Sequence, residues 1–452
     1  MFVYNDRKRL ETLLDREREV FAKRTQLSLA AFEQSRRALI GGVPMSWMSK
    51  WSGGYPIFFE SARGSRIIDV DGNSYIDFCL GDTGAMAGHS PEPTVDSVID
   101  RIQLKGGVTT MLPSLDSIKA ATALKSRFPL PLWQFTLSAT DANRFALRFA
   151  RQITGRKKIL VFSYCYHGTV DESFTVLKDG VSVSREGNVG PAVDPAVTTE
   201  AVEFNDIDAV RRALSTGEIA AVLTEPALTN IGIVLPEDGF HEQLRSLCTE
   251  TGTLLIVDET HTFSAGYGGA TELYGLKPDI ITIGKSIGGG VPVGAYGVSE
   301  AIADQLLRDD RADLVDTGGV GGTLAGNALS VAAVATTLNS VFTQEAFLEM
   351  IDLASRFEAG VTQAFQAHGA PFCVIRLGAR VEYRFCPNPP KNGGESAAYG
   401  DEMLDEYFHL YCLNRGVLMT PFHNMALMSP STSLADVDAH SSIFNDAVSE
   451  LF

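Results

Sequence analysis

The chain has 452 residues, 45% of them hydrophobic, with 42 glycines and a formal net charge of −17. That length and apolar content suffice for one large core plus a smaller domain, and the acidic balance speaks against nucleic acid or an anionic membrane as partner, since either calls for a basic patch. No apolar run reaches membrane-spanning length and no signal-peptide core opens the chain, which makes the cytoplasm the default location.

The first 39 residues carry both charges densely, as in DRKRLETLLDREREVFAKR, the pattern of an exposed amphipathic helix and not of a transit peptide. From about residue 70 to 325, short Val/Ile/Leu runs (KKILVFS, IAAVLTEP, TLLIVDE, DIITIGK) alternate with helix-length segments. This alternation predicts an α/β domain, a mostly parallel sheet with helices on both faces. After Leu329 come long helical patterns, the strand-like VIRLGARVEYRF and a helix from about 402 to 414, which predict a smaller α+β domain. The run PNPPKNGGESAAYG at 387–400 reads as an exposed loop. The six cysteines show no CxxC spacing and the eight histidines no HExxH spacing, so reduced thiols and no metal are expected.

Two of the strand-like runs end in residues that carry chemistry. Leu254-Leu255-Ile256-Val257 places Asp258 at the carboxyl end of a strand, and Ile280-Ile281-Thr282-Ile283-Gly284 places Lys285 where a strand gives way to Gly288-Gly289-Gly290. Ligands bind at that edge of a parallel sheet. The pair suits pyridoxal 5'-phosphate. A lysine amine can hold the aldehyde as a Schiff base and hand it to an incoming amine, and an aspartate can keep the pyridine nitrogen protonated so that the ring takes up electrons. The phosphate needs amides and hydroxyls at a helix N-terminus, and Ser138-Ala139-Thr140-Asp141-Ala142-Asn143 opens such a helix.

These residues fall in an ordered series: GGVP at 41–44, DVDGNSYIDF at 69–78, GHSP at 88–91, TGRKKILVFSYCYHG at 154–168 and TEPALTNIGIVLPEDGF at 224–240. It continues through the 254–297 block, GGTLAGN at 321–327 and NRGVLMTP at 414–421. In this series the chain resembles the class III aminotransferases among the fold type I pyridoxal phosphate enzymes, and within them the glutamate-1-semialdehyde aminomutase branch. The resemblance implies a large cofactor-binding domain over 70–325, a small C-terminal domain over 326–452, and an N-terminal segment, 1–69, that packs with the small domain.

The resemblance also implies roles. Ser138, Ala139 and Thr140 match the family's phosphate cup, with Ala139 in place of glycine and Asp141 in place of glutamate. Tyr166 matches the aromatic residue stacked on the ring, although on pattern alone it serves equally as core. His167 and Gly168 shape the turn that follows. Glu225 and Asn230 match positions near the ring and its phenolic oxygen, and Thr260 replaces the usual valine under the ring. Thr323 matches a threonine that reaches the neighbouring subunit's cofactor phosphate, which implies a homodimer with shared active sites.

Met48 stands where aminomutases of this branch carry a carboxylate-binding arginine. Trp47 and Trp51 then line an apolar substrate pocket or pack at a domain seam. Strand alternation puts Arg380, Glu382 and Arg384 on one face, where Arg380 either clamps a substrate carboxylate or belongs to a solvated face. The leading expectation is transfer of an amino group from an amine or non-α amino acid (the omega/beta type) to a keto acid such as pyruvate. An aminomutase or lyase is the alternative, and a non-catalytic cofactor-binding protein is a second one.

Overall fold

The computed structural model describes residues 4, 6–308, 319–420 and 423–452. Residues 1–3 and 5 of the N-terminal segment, 309–318 of the expected large domain and Pro421, the last residue of the expected 414–421 run, lie outside them. Chain contacts divide the protein into two compact units. One comprises Met1–Ser90, Leu348–Pro389 and Ala398–Phe452, the other Pro91–Phe347 and Pro390–Ala397. The divisions thus fall at 90/91 and 347/348, against expected boundaries at 70 and 325.

The second unit is built on seven strands: β1 (Leu132–Thr136), β2 (Lys158–Phe162), β3 (Thr199–Val202), β4 (Ile219–Thr224), β5 (Leu254–Asp258), β6 (Ile280–Ile283) and β7 (Gly294–Val298). Their order in the sheet is β1-β7-β6-β5-β4-β2-β3. Only β7 runs antiparallel to its neighbours. The four centre strands are short continuous apolar runs because helices flank the sheet and both faces must be dry. Ile159 to Phe162, Ile219 to Leu223, Ile256, Val257, Ile280, Ile281 and Ile283 are all fully buried. This is the fold type I arrangement, and its carboxyl edge carries the residues described below.

The first unit holds a four-stranded and a three-stranded sheet. In the latter, Cys373–Leu377 and Arg380–Arg384 form a hairpin, and Met425–Leu427 pairs with its second strand. Gly378, at φ 58°, supplies the positive φ that so tight a two-residue turn needs. Two sequence expectations change here. The N-terminal segment is not simply exposed, since helix Arg7–Arg24 buries Leu10, Leu14 and Phe21 and packs on helix Glu402–Asn414. Its apolar stripe is narrow, and the charges around it hide the stripe in the composition. Nor is 387–400 an exposed loop: Gly393–Ala397 is a short helix within the second unit. A Cβ on Gly393 would lie 2.2 Å from the carbonyl oxygen of Ser163, so glycine here marks close packing and not a linker.

All six cysteines are free thiols, and Cys373 and Cys386 stand 3.7 Å apart, sulfur to sulfur. Among the described residues, no helix is long and apolar enough to cross a membrane, and no cluster of His, Cys, Asp or Glu is arranged to hold a metal ion.

Candidate active site

β5 and β6 are neighbouring parallel strands, with Asp258 opposite Thr282. Asp258 ends β5, and Lys285 follows β6 after Gly284, so the two residues expected from sequence leave the same edge of the sheet on adjacent strands. Only 3% of Asp258 is exposed. Its Oδ2 meets His167 Nδ1 at 3.0 Å and accepts from Asn143 Nδ2 at 2.8 Å, while Oδ1 accepts from the Thr260 amide at 3.0 Å. Asn143 is itself fixed, donating to the His167 carbonyl at 3.1 Å and accepting from Thr282 Oγ1 at 2.6 Å.

Burial alone would raise the pKa of Asp258, but the hydrogen bond and charge of His167, with Thr260 and Asn143, hold it below the ordinary carboxylate range. Burial likewise opposes a proton on His167, yet the Cys165 sulfur and the Asp258 carboxylate lift its pKa well above the usual histidine range. The site therefore holds an ionised carboxylate in a dry place, ready to accept from a cationic N–H.

Ser138 caps helix Ala139–Thr154, its Oγ accepting from the Asp141 amide at 3.2 Å. Thr140 Oγ1 accepts from the Thr169 amide at 3.1 Å. Three glycines let the chain crowd this turn. A Cβ on Gly168 would sit 2.1 Å from Thr140 Oγ1, one on Gly284 3.0 Å from the Ala139 nitrogen, and one on Gly294 2.4 Å from the Ser138 carbonyl oxygen. The helix N-terminus is thereby pressed against the start of the Lys285 turn, which joins a dipole-positive end and hydroxyls to the lysine.

Lys285 itself adopts φ 51°, a left-handed conformation rare outside glycine and concentrated at functional sites. Its Nζ lies 2.7 Å from His261 Nε2. Tyr166 is half-buried, its ring 6.5 Å from that of Phe174. Glu225 is buried and accepts from Thr229 Oγ1. Asn230, with its amide oxygen turned to Arg185, accepts from that guanidinium at 3.2 Å. Thr323 is exposed on a turn.

Trp47, Trp51 and Arg380 belong to the first unit. Both tryptophans are partly buried, and Trp51 lies 5.4 Å from the His409 ring. The Arg380 face is not solvated. Arg380 is 1% exposed and donates to Thr83 Oγ1, and Glu382 is fully buried. The alternation holds, but both faces of this strand are covered, since Val381 and Tyr383 on one face are buried as well as Arg380 and Glu382 on the other.

Sequence reasoning passed over three residues here. His167 read as a turn residue, Asn143 as the tail of a helix cap, and His261 as one of eight scattered histidines. A signal existed for Asn143, a polar residue on the buried face of its helix, and for His261, three residues past Asp258. None existed for His167, which lies 91 residues from its partner.

The architecture and this edge of the sheet define a fold type I enzyme of the pyridoxal phosphate class. Residues 47–448 match the family model Aminotransferase class-III, and the chain belongs to that family. Its cofactor is pyridoxal 5'-phosphate. A glutamate-1-semialdehyde-aminomutase from Pseudomonas aeruginosa PAO1, solved as a lysine-to-alanine variant in complex with PMP, is 44% identical over 100% of both chains with a TM-score of 0.96. A glutamate-1-semialdehyde 2,1-aminomutase from Persephonella marina is 33% identical, covering 91% of this chain and 96% of its own. An omega-transaminase from Sphaerobacter thermophilus is 28% identical over 94% and 97% of the two chains, with a TM-score of 0.83.

These matches overturn the leading expectation of an omega- or beta-type transaminase, because the relatives at 33–44% identity are aminomutases. The expectation leaned on a single departure, Met48 for arginine. The cofactor machinery is common to both reactions and could not correct it.

Proposed function

We propose that this enzyme is an aminomutase of the glutamate-1-semialdehyde 2,1 type, an isomerase that moves an amino group between adjacent carbons of one substrate. The observation that carries the reading is the 44% identity over the full length of both chains to an aminomutase of that name. The geometry is compatible with the cofactor. A buried ionised carboxylate, a hydroxyl-bearing helix N-terminus and a lysine in a strained turn stand on one sheet edge.

When bound, pyridoxal phosphate supplies an aldehyde for the substrate amine and a ring that draws electrons from the carbon bearing it. In this proposal Asp258 accepts the hydrogen bond of the ring N–H, and His167 and Asn143 keep Asp258 ionised and aimed. Ser138, Ala139 and Thr140 hold the phosphate at the helix N-terminus. Tyr166 and Thr260 flank the ring and exclude water, and Glu225 and Asn230 lie toward its phenolic oxygen. Lys285 is the residue that would hold the cofactor covalently, and its amine, when not so bonded, would serve as the acid and base that holds and moves a proton at the substrate carbon bearing the amino group. Arg380 is the proposed clamp for the substrate carboxylate in place of the arginine that Met48 lacks, and Trp47 and Trp51 are the proposed apolar walls of the substrate pocket.

The proposed working unit is a homodimer in which Thr323 serves the partner's phosphate. In support, Thr323 is exposed, and the same unit displays Met111, Leu112, Leu115 and Ile118 at 63–78% exposure, an apolar surface of the kind that partners cover.

The test is incubation of the loaded enzyme with glutamate 1-semialdehyde and no keto acid, followed by proton NMR. The proposal expects the isomer with its amine on the terminal carbon and a ketone beside it. Conversion that occurs only when a keto acid is added would refute it.

A further inference from the structure

Arg185 ties together two loops at the ligand edge of the sheet. β2 and β4 are parallel neighbours. The chain leaving β2 carries Tyr164, Cys165 and Tyr166, and the chain leaving β4 carries Glu225 and Asn230. Arg185 follows the hairpin of Thr175–Lys178 and Val181–Ser184 and reaches both loops. Its Nη1 donates to the Cys165 carbonyl at 3.3 Å, its guanidinium carbon lies 5.5 Å from the centroid of the Tyr164 ring, and both terminal nitrogens stand 3.2 Å from the amide oxygen of Asn230.

Hydrogen-bond chemistry decides which end of that amide faces Arg185. A guanidinium only donates, whereas a primary amide donates at one end and accepts at the other. With Nδ2 toward Arg185, donors would face donors twice at 3.2 Å, against one long bond from Nδ2 to the Tyr164 carbonyl at 3.4 Å. With the oxygen there, both contacts become hydrogen bonds, and the network assigns the amide that way. The NH2 is then the end turned away from Arg185. The arginine is half-buried, and its own amide donates to the Phe174 carbonyl at 2.7 Å, which anchors its backbone.

We infer that Arg185 is the positioning residue that sets the Asn230 amide with its NH2 as donor to the phenolic oxygen of bound pyridoxal phosphate. The inference rests on the proposed place of Asn230 toward that oxygen. Without the guanidinium the amide can present either end, and an amide oxygen facing the phenolic oxygen repels it. A donor there draws negative charge from the phenolic oxygen and weakens its hold on the proton of the nitrogen that joins the cofactor to Lys285. Loss of the donor therefore raises the pH at which that proton leaves.

The test is an absorbance titration of the cofactor-loaded, full-length enzyme across pH 6–10 without substrate. It follows loss of the yellow band as that proton leaves, a readout independent of turnover. Arg185→Met and Asn230→Ala are each expected to move the transition up by about half to one pH unit, the worth of one hydrogen bond. In the double variant the shift should equal that of Asn230→Ala alone, because Arg185 then has nothing left to set. Additive shifts would mean that Arg185 acts through its charge, and an unmoved transition in Arg185→Met beside a shift in Asn230→Ala would mean that it does not act on the site; either overturns the inference. An unmoved transition in Asn230→Ala instead removes the placement of Asn230 on which the inference rests. If Arg185→Met does not fold by circular dichroism, Arg185→Lys, which keeps the charge and the stem but loses the fork, takes its place in the same cycle with the same pattern expected.

Discussion

His167 Nδ1 lies 3.0 Å from Asp258 Oδ2, with both side chains buried. Two side chains 91 residues apart thus form a charge pair where burial alone would neutralise each of them. His167→Ala would leave the carboxylate buried without its cation, a loss of about 3–5 kcal/mol for pairs of this kind. Urea unfolding at pH 7 measures it. Adding Asp258→Asn should recover part of the loss, because the stranded charge is then gone.

Gly168 carries φ 75°, and a Cβ there would sit 2.1 Å from Thr140 Oγ1. Gly168→Ala is expected to cost about 2–4 kcal/mol from backbone strain and crowding together. Because Thr140 must move, the variant should also release the cofactor faster in a dilution experiment. Unchanged stability and unchanged release would show that the turn is not part of the phosphate site.

Glu382 is fully buried, and neither carboxylate oxygen has a hydrogen-bond partner among the described residues. Burial pushes its pKa up to about 7 against the pull of Arg384 and Arg380. A pKa raised in the folded state favours folding at low pH, and the benefit is lost as pH rises from the unfolded value through 7. Glu382→Gln should therefore gain on wild type between pH 5 and pH 8, by up to about 3 kcal/mol. Parallel denaturant curves at the two pH values read the difference.

His440 has the opposite sign. Its ring stacks on Phe357 at 4.1 Å, neither ring nitrogen has a hydrogen-bond partner among the described residues, and burial lowers its pKa to about 3. The unfolded chain takes up a proton below its ordinary histidine pKa and the folded chain does not, so stability falls as pH drops from about 6.5 toward 3. His440→Phe removes that liability, and melting temperatures at pH 7 and pH 4 should diverge in its favour by the equivalent of about 3 kcal/mol at pH 4.

The clamp proposed for Arg380 makes a kinetic prediction. Arg380→Ala should raise KM for the acid substrate roughly 10- to 100-fold, the worth of a charge-assisted hydrogen bond, with less effect on kcat. An unchanged KM alongside lowered thermal stability would assign Arg380 to a structural role.

What the sequence determined by itself was whatever local pattern controls. Strands such as Ile280–Ile283 are apolar throughout because both faces of a parallel sheet are covered, and a residue at the end of such a run must emerge at the ligand edge. Asp258, Lys285 and the Ser138 helix start could therefore be read in one dimension. Folding decided what depends on distant partners. The ionisation of Asp258 needs His167 and Asn143, the approach of the Ser138 turn to Lys285 needs glycines at 284 and 294, and the amine of Lys285 meets His261. The burial of Arg380 and Glu382 also lay beyond the pattern, because alternation assigns residues to a face and only what packs over that face determines whether it is wet.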